Sequence, residues 1–112
     1  MIDSYSFGKI SIDGKEYRTD VIVLQDRVKD GWWRKEGHQL HIEDVESIPQ
    51  ERLDVLVIGT GAHGMMKVRP ETKRFFESRG VEVIIEKTAE ACKIYNKLSK
   101  SKSVVAALHL TC

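Results

Sequence analysis

The run Leu53-Asp54-Val55-Leu56-Val57-Ile58 passes directly into Gly59-Thr60-Gly61-Ala62-His63-Gly64. An apolar, β-branched run of strand length that ends in a turn signal reads as a strand buried on both faces. Such strands belong to the centre of an α/β sheet, where both sides are covered. The rest of the chain divides around this point. The residues before it have the pattern of antiparallel β structure, and those after it alternate helix and strand.

Before the central run, Tyr5, Phe7, Ile10 and Ile12 are apolar with polar residues between them, but their phase slips at Gly8. A β-bulge at Gly8 would restore the two-residue period and keep all four side chains on one face. Asp13-Gly14 supplies the positive-φ pair of a tight hairpin. A return strand is expected from Lys15 to about Leu24, ending in the doubly apolar Val21-Ile22-Val23-Leu24. A strand is also expected around Trp32-Trp33, with an irregular partner near His38-Gln39-Leu40-His41. Ile42, Val45 and Ile48 recur every three residues, enough for one or two helical turns stopped by Pro49.

After Gly64, Pro70 suits the first position of a helix that runs to about Arg79 and stops at Gly80. Val81 to Ile85 is a second buried strand. Thr88 is placed to cap the next helix, whose apolar stripe is Ala91, Ile94, Tyr95 and Leu98. Ser103 to Leu110 forms the last strand. Strand–helix–strand–helix–strand at this spacing implies a parallel core. The expected fold is therefore α/β: one three-layer domain over residues 1–112, with a central mixed, largely parallel sheet between helices and an antiparallel hairpin at the N-terminus.

Composition narrows the partners. At 112 residues the chain can bury a real core, and 41% hydrophobic with 31% charged residues fits neither disorder nor a membrane-embedded protein. No apolar run approaches the roughly 20 residues that a bilayer needs. Met1-Ile2-Asp3-Ser4 lacks the basic-then-apolar start of a signal peptide, so a cytoplasmic location is expected. A net charge of +1 is far from the strongly basic balance of a nucleic-acid binder. Cys92 and Cys112 have no metal-type spacing and are read as reduced thiols.

Gly59-Thr60-Gly61-Ala62-His63-Gly64 matches the G-x-G-x-x-G of dinucleotide sites, and Glu86 lies where that pattern wants an acidic residue. Against it, Met65 to Arg69 separate the motif from the helix whose N-terminus should meet the phosphate. The chain also has room for barely one of the two βαβαβ halves. A milder reading keeps the Gly59-Thr60-Gly61 NH groups as an anion cradle, with Arg69 as a bidentate partner and His63 as a general base. The competing reading is that the glycines only turn a buried strand past its neighbours and that Arg69 is a solvated charge.

Other candidates are weaker. His38 and His41 would point to opposite faces of a strand, and no cluster completes a metal site with them. No nucleophile is paired with His63, so no catalytic set is assigned. Cys92 near a helix start could be a reactive thiol, but a buried core residue fits the apolar stripe better. Lys93, Lys97 and Lys100 read as a solvated helix face. Adjacent Trp32 and Trp33 point in opposite directions on an extended chain, so one is expected in the core and the other at a protein-binding surface.

Several of these segments resemble a family. They are Val57-Ile58-Gly59-Thr60-Gly61, Gly80-Val81-Glu82-Val83, Thr88-Ala89-x-Ala91-Cys92-x-x-Tyr95-Asn96-x-Leu98 and the strand Val105 to Leu108, with Trp33 and Gly37-His38 in the first half. Together they resemble a small uncharacterised α/β family that includes archaeal hypothetical proteins, the adipogenesis-associated domain protein and a mitochondrial respiratory complex I assembly factor. Members often carry Glu-Gly-Arg before the last strand, where this chain has Ser101-Lys102-Ser103. The resemblance implies a three-layer fold with a mixed sheet and no established enzyme activity. The first expectation is a non-enzymatic domain that binds a protein or assists assembly, with no cofactor, metal, nucleic acid or membrane. The second is a small-molecule or anion-binding domain, with or without catalysis, built on Gly59, Thr60, Gly61, His63 and Arg69.

Overall fold

The computed structural model describes residues 1–112. The chain begins with a three-stranded antiparallel sheet: β1 (Ile2–Ser6), β2 (Lys9–Ile12) and β3 (Lys15–Tyr17). Asp13 and Gly14, with φ of 49° and 82°, make the expected tight turn between β2 and β3. The slip at Gly8 is a turn rather than a bulge. Ser6 pairs with Lys9, Gly8 has φ 76°, and Phe7 is left exposed at the tip. The ladder's irregularity lies at Asp3 instead, between the pairs Ile2–Ile12 and Ser4–Ser11. Two short apolar stretches separated by two turn residues had imitated one bulged strand.

The return strand is also broken. Arg18 to Asp20 leave the first sheet, and β4 (Val21–Val23) joins a different one with β5 (Val28–Lys29). This second sheet has five strands in the order β5-β4-β10-β7-β9, with β7 (Val55–Thr60), β9 (Glu82–Glu86) and β10 (Val104–His109). β10 and β9 flank β7 in parallel, and β4 runs antiparallel to β10. All six residues of β7 and all six of β10 are buried, as a doubly covered strand requires.

Alternation along these strands builds two cores. Val55, Val57, Val104, Ala106, Leu108, Val21 and Val23 face one side, packed with Ala91, Cys92 and Tyr95 of α3 (Thr88–Leu98) and with Ile2, Ile10 and Ile12 of the hairpins. Leu56, Ile58, Val105, Ala107 and Ile22 face the other. There they meet Val45 of α1 (Ile42–Val45), Phe76 of α2 (Pro70–Glu77) and Trp32. The result is three layers with a mixed, largely parallel sheet in the middle.

Local chemistry sets the helix ends. Pro70 opens α2, where its missing NH is not needed, and Gly80 at φ 79° follows the cap residue Ser78. Thr88 is not a cap. Lys87 holds that position, and Thr88 is the first helical residue, with its hydroxyl turned towards the sheet. Nor do the tryptophans form a strand. Residues 32 and 33 lie in irregular chain between β5 and the two-residue β6 (Gln39–Leu40), which runs beside β8 (Lys67–Val68). No helix is long and apolar enough to cross a membrane.

Candidate functional site

The glycine-rich turn sits at the C-terminal edge of the parallel strands, where α/β sheets commonly bind ligands. Here Thr88, Thr111 and Cys112 occupy it. The Gly61 NH donates to the Thr88 hydroxyl at 2.9 Å, and the Ala62 NH to the Thr111 carbonyl at 2.6 Å. The Met65 NH donates to the Cys112 carbonyl at 2.9 Å. Thr60 lies in the β7 ladder, and its hydroxyl donates to the Glu86 carbonyl at 3.1 Å.

Two of the turn's three glycines, Gly59 and Gly61, are there for close approach. A Cβ on Gly61 (φ 107°) would fall 2.4 Å from the Cys112 carbonyl carbon. A Cβ on Gly59 would fall 2.8 Å from the Thr88 hydroxyl and 2.9 Å from Leu108. The other residues named for this site are dispersed. Arg69 donates to Glu71 at 3.1 Å and to Gln39 at 2.9 Å. The ring of His63 lies 6.1 Å from that of Phe7.

A polar cluster that the sequence did not single out lies beside this edge. Asp20 Oδ2 is 2.6 Å from Arg34 Nη1 and 2.8 Å from His109 Nδ1, and the Leu110 NH donates to Oδ1 at 2.7 Å. Arg34 and His109 are almost fully buried. Burial by itself would raise the Asp20 carboxyl, but hydrogen bonds from His109, the Leu110 NH and Arg34 outweigh it and hold the group below its ordinary value. Arg34 Nη2 also lies 3.0 Å from His109 Nδ1, and His109 Nε2 and Arg34 Nε are buried without a partner. The Arg34 guanidinium stacks 4.9 Å from the Trp32 ring. The available signal was a polar residue closing an otherwise apolar strand, with Asp20 at the start of its antiparallel neighbour.

The tryptophans separate by burial. Trp32 is 5% exposed, and its Nε1 donates to the Asp44 carbonyl at 3.0 Å. Trp33 is 81% exposed. Both line a cleft of about 530 Å³ with Lys29, Lys35 and Glu43. His41 instead opens α1 and pairs with Glu36. Cys92 is buried, and burial pushes its thiol up to about 12, whereas Cys112 is exposed.

The chain shares its fold with a solved structure. It is 33% identical to a conserved hypothetical protein of Pyrococcus horikoshii OT3, covering 100% of this chain and 99% of that one with a TM-score of 0.85. It is 28% identical over 109 residues to mouse NADH dehydrogenase [ubiquinone] 1 alpha subcomplex assembly factor 3, covering 95% of this chain and 57% of the relative. The same assembly factor of Xenopus tropicalis is 34% identical over 56 residues, 50% of this chain and 30% of that protein. The chain thus spans little more than half of the longer-matched curated relative. The profile of a family described as protein of unknown function (DUF498/DUF598) matches residues 2–109. With nearly its whole length matched and its three-layer fold shared, the chain belongs to the DUF498/DUF598 family.

Proposed function

We propose that this chain is a non-enzymatic docking domain that assists the assembly of a larger protein complex, and that Trp33 is its central contact. The exposure of Trp33 carries this reading. An indole with 81% of its surface in water costs solvation and contributes nothing to the core, while its neighbour Trp32 is anchored at 5%. Tryptophan beside a cleft is a side chain that often anchors a protein interface. Lys35 and Glu43, 3.9 Å apart at the same cleft, supply a charged rim. The names of the mouse and frog relatives, both assembly factors, support the same reading. The partner is then a subunit of a complex still being put together.

The test is a photo-crosslinking amino acid placed at position 33 of the tagged chain in its source cells, with position 73 on the exposed face of α2 as the control. The expected result is a crosslink from position 33 to one defined subunit of a larger complex, absent from position 73. Crosslinks that do not differ between the two positions would overturn the assignment.

A further inference from the structure

A second cleft, of about 450 Å³, opens at the opposite edge of the sheet from the glycine turn. Its volume falls within the roughly 300–1,000 Å³ of small-ligand sites. The floor is apolar and buried: Ile22 from β4, Val105 from the start of β10, and Leu53 just before β7. The mouth is charged. Arg27 is matched by Asp26 at 3.5 Å, while Arg52 and Lys29 have no carboxylate partner in the chain and Glu51 offsets one of them. One net positive charge therefore sits above an apolar floor.

Arg52 adds an independent sign. It has φ 61°, in the left-handed region where a residue other than Gly, Asn or Asp is uncommon. The turn that forces this conformation is closed by the Leu53 NH on the Gln50 carbonyl at 3.2 Å. Glycine or asparagine would fill such a position at less cost. Yet an arginine stands there, and its guanidinium bonds to nothing in the chain. A local rule broken without a local compensation marks a site used for something else.

We propose that this cleft binds a small amphipathic monocarboxylate, its apolar body over Ile22, Leu53 and Val105 and its carboxylate on the Arg52 guanidinium. The single net charge at the mouth matches a monoanion rather than a phosphate ester carrying two charges. This site does not depend on the docking role of Trp33 and lies in a different cleft.

The test is a 15N-resolved NMR titration of the full chain with sodium octanoate below its micelle concentration, with octan-1-ol as the uncharged control. The expected result is saturable movement of the Leu24, Leu53 and Val105 amides with octanoate. Affinity should fall by about tenfold or more in Arg52→Gln, and it should be unchanged in Arg69→Gln at the other edge. Arg52→Gly provides the second variant. It should melt higher than the parent because the left-handed strain is gone, yet bind octanoate as poorly as Arg52→Gln. Parent-like affinity in either Arg52 variant, equal binding of octanol, or no saturable movement at these amides would each overturn the proposal.

Discussion

Asp20 stands directly opposite His109 in the continuation of the β4–β10 register, with Oδ2 2.8 Å from Nδ1. This contact ties the crossing between the two sheets to the end of the last strand, and Arg34 closes it from the irregular segment. Removing the carboxylate in Asp20→Ala leaves Arg34 buried without its counter-charge. A loss of about 3–5 kcal/mol is expected for breaking a buried pair from one side, measured by urea unfolding.

The same carboxylate sets an acid limit. Its folded-state value lies below the ordinary 3.8, so its contribution is present above that value and is lost as the pH falls through the lower, folded one. Unfolding midpoints measured between pH 6 and pH 2 should therefore fall on the acid side, and Asp20→Asn should flatten that fall. An acid limb of the same slope in Asp20→Asn would assign the loss to other carboxylates.

Thr88 holds the glycine turn against the last strand. Its hydroxyl accepts from the Gly61 NH at 2.9 Å and donates to the His109 carbonyl at 2.5 Å. Thr88→Val keeps the shape and removes both bonds, which should cost about 1–3 kcal/mol, whereas Thr88→Ser should cost less. Gly61→Ala should cost more than either, because its new methyl would meet the Cys112 backbone at 2.4 Å in a strained conformation.

Much of the fold was legible, for reasons visible in particular residues. Val55 to Ile58 and Val104 to Leu108 are buried on both faces, so their uniform apolarity had one reading. Pro70 and Gly80 marked α2 through backbone constraints that act locally. The break between Tyr17 and Val21 was not legible, because which sheet a strand joins depends on partners far along the chain. Asp20, Arg34 and His109 were missed for the same reason. They are 14 and 75 residues apart in sequence and meet only through the register of β4 on β10.

The buried residues of α3 have packing duties. Thr88 binds the turn, while Ala91, Cys92 and Tyr95 fill the core. The Asn96 side chain exchanges two hydrogen bonds with the Ile2 backbone, at 2.9 and 2.8 Å. Asn96→Ala should therefore loosen β1 and cost about 1–3 kcal/mol. Faster hydrogen exchange at the amides of β1 and β2, with those of β7 unchanged, is the expected signature.

Two thiols should likewise behave differently. In the folded chain, Cys112 should react with a disulfide reagent at neutral pH while Cys92, buried and pushed up to about 12, stays silent until the protein unfolds. Counting released thiolate before and after denaturant checks this. Two equivalents released from the native protein would contradict the packing described for α3.

The docking role of Trp33 is tested most directly by comparing Trp33→Ala and Trp32→Ala, measuring stability and affinity for the crosslinked subunit side by side. Trp32→Ala should cost about 3–5 kcal/mol of folding stability. Trp33→Ala should change stability by no more than about 0.5 kcal/mol, yet weaken binding by about 2 kcal/mol or more. Binding by Trp33→Ala that equals that of the parent chain, with the fold intact, would contradict the account.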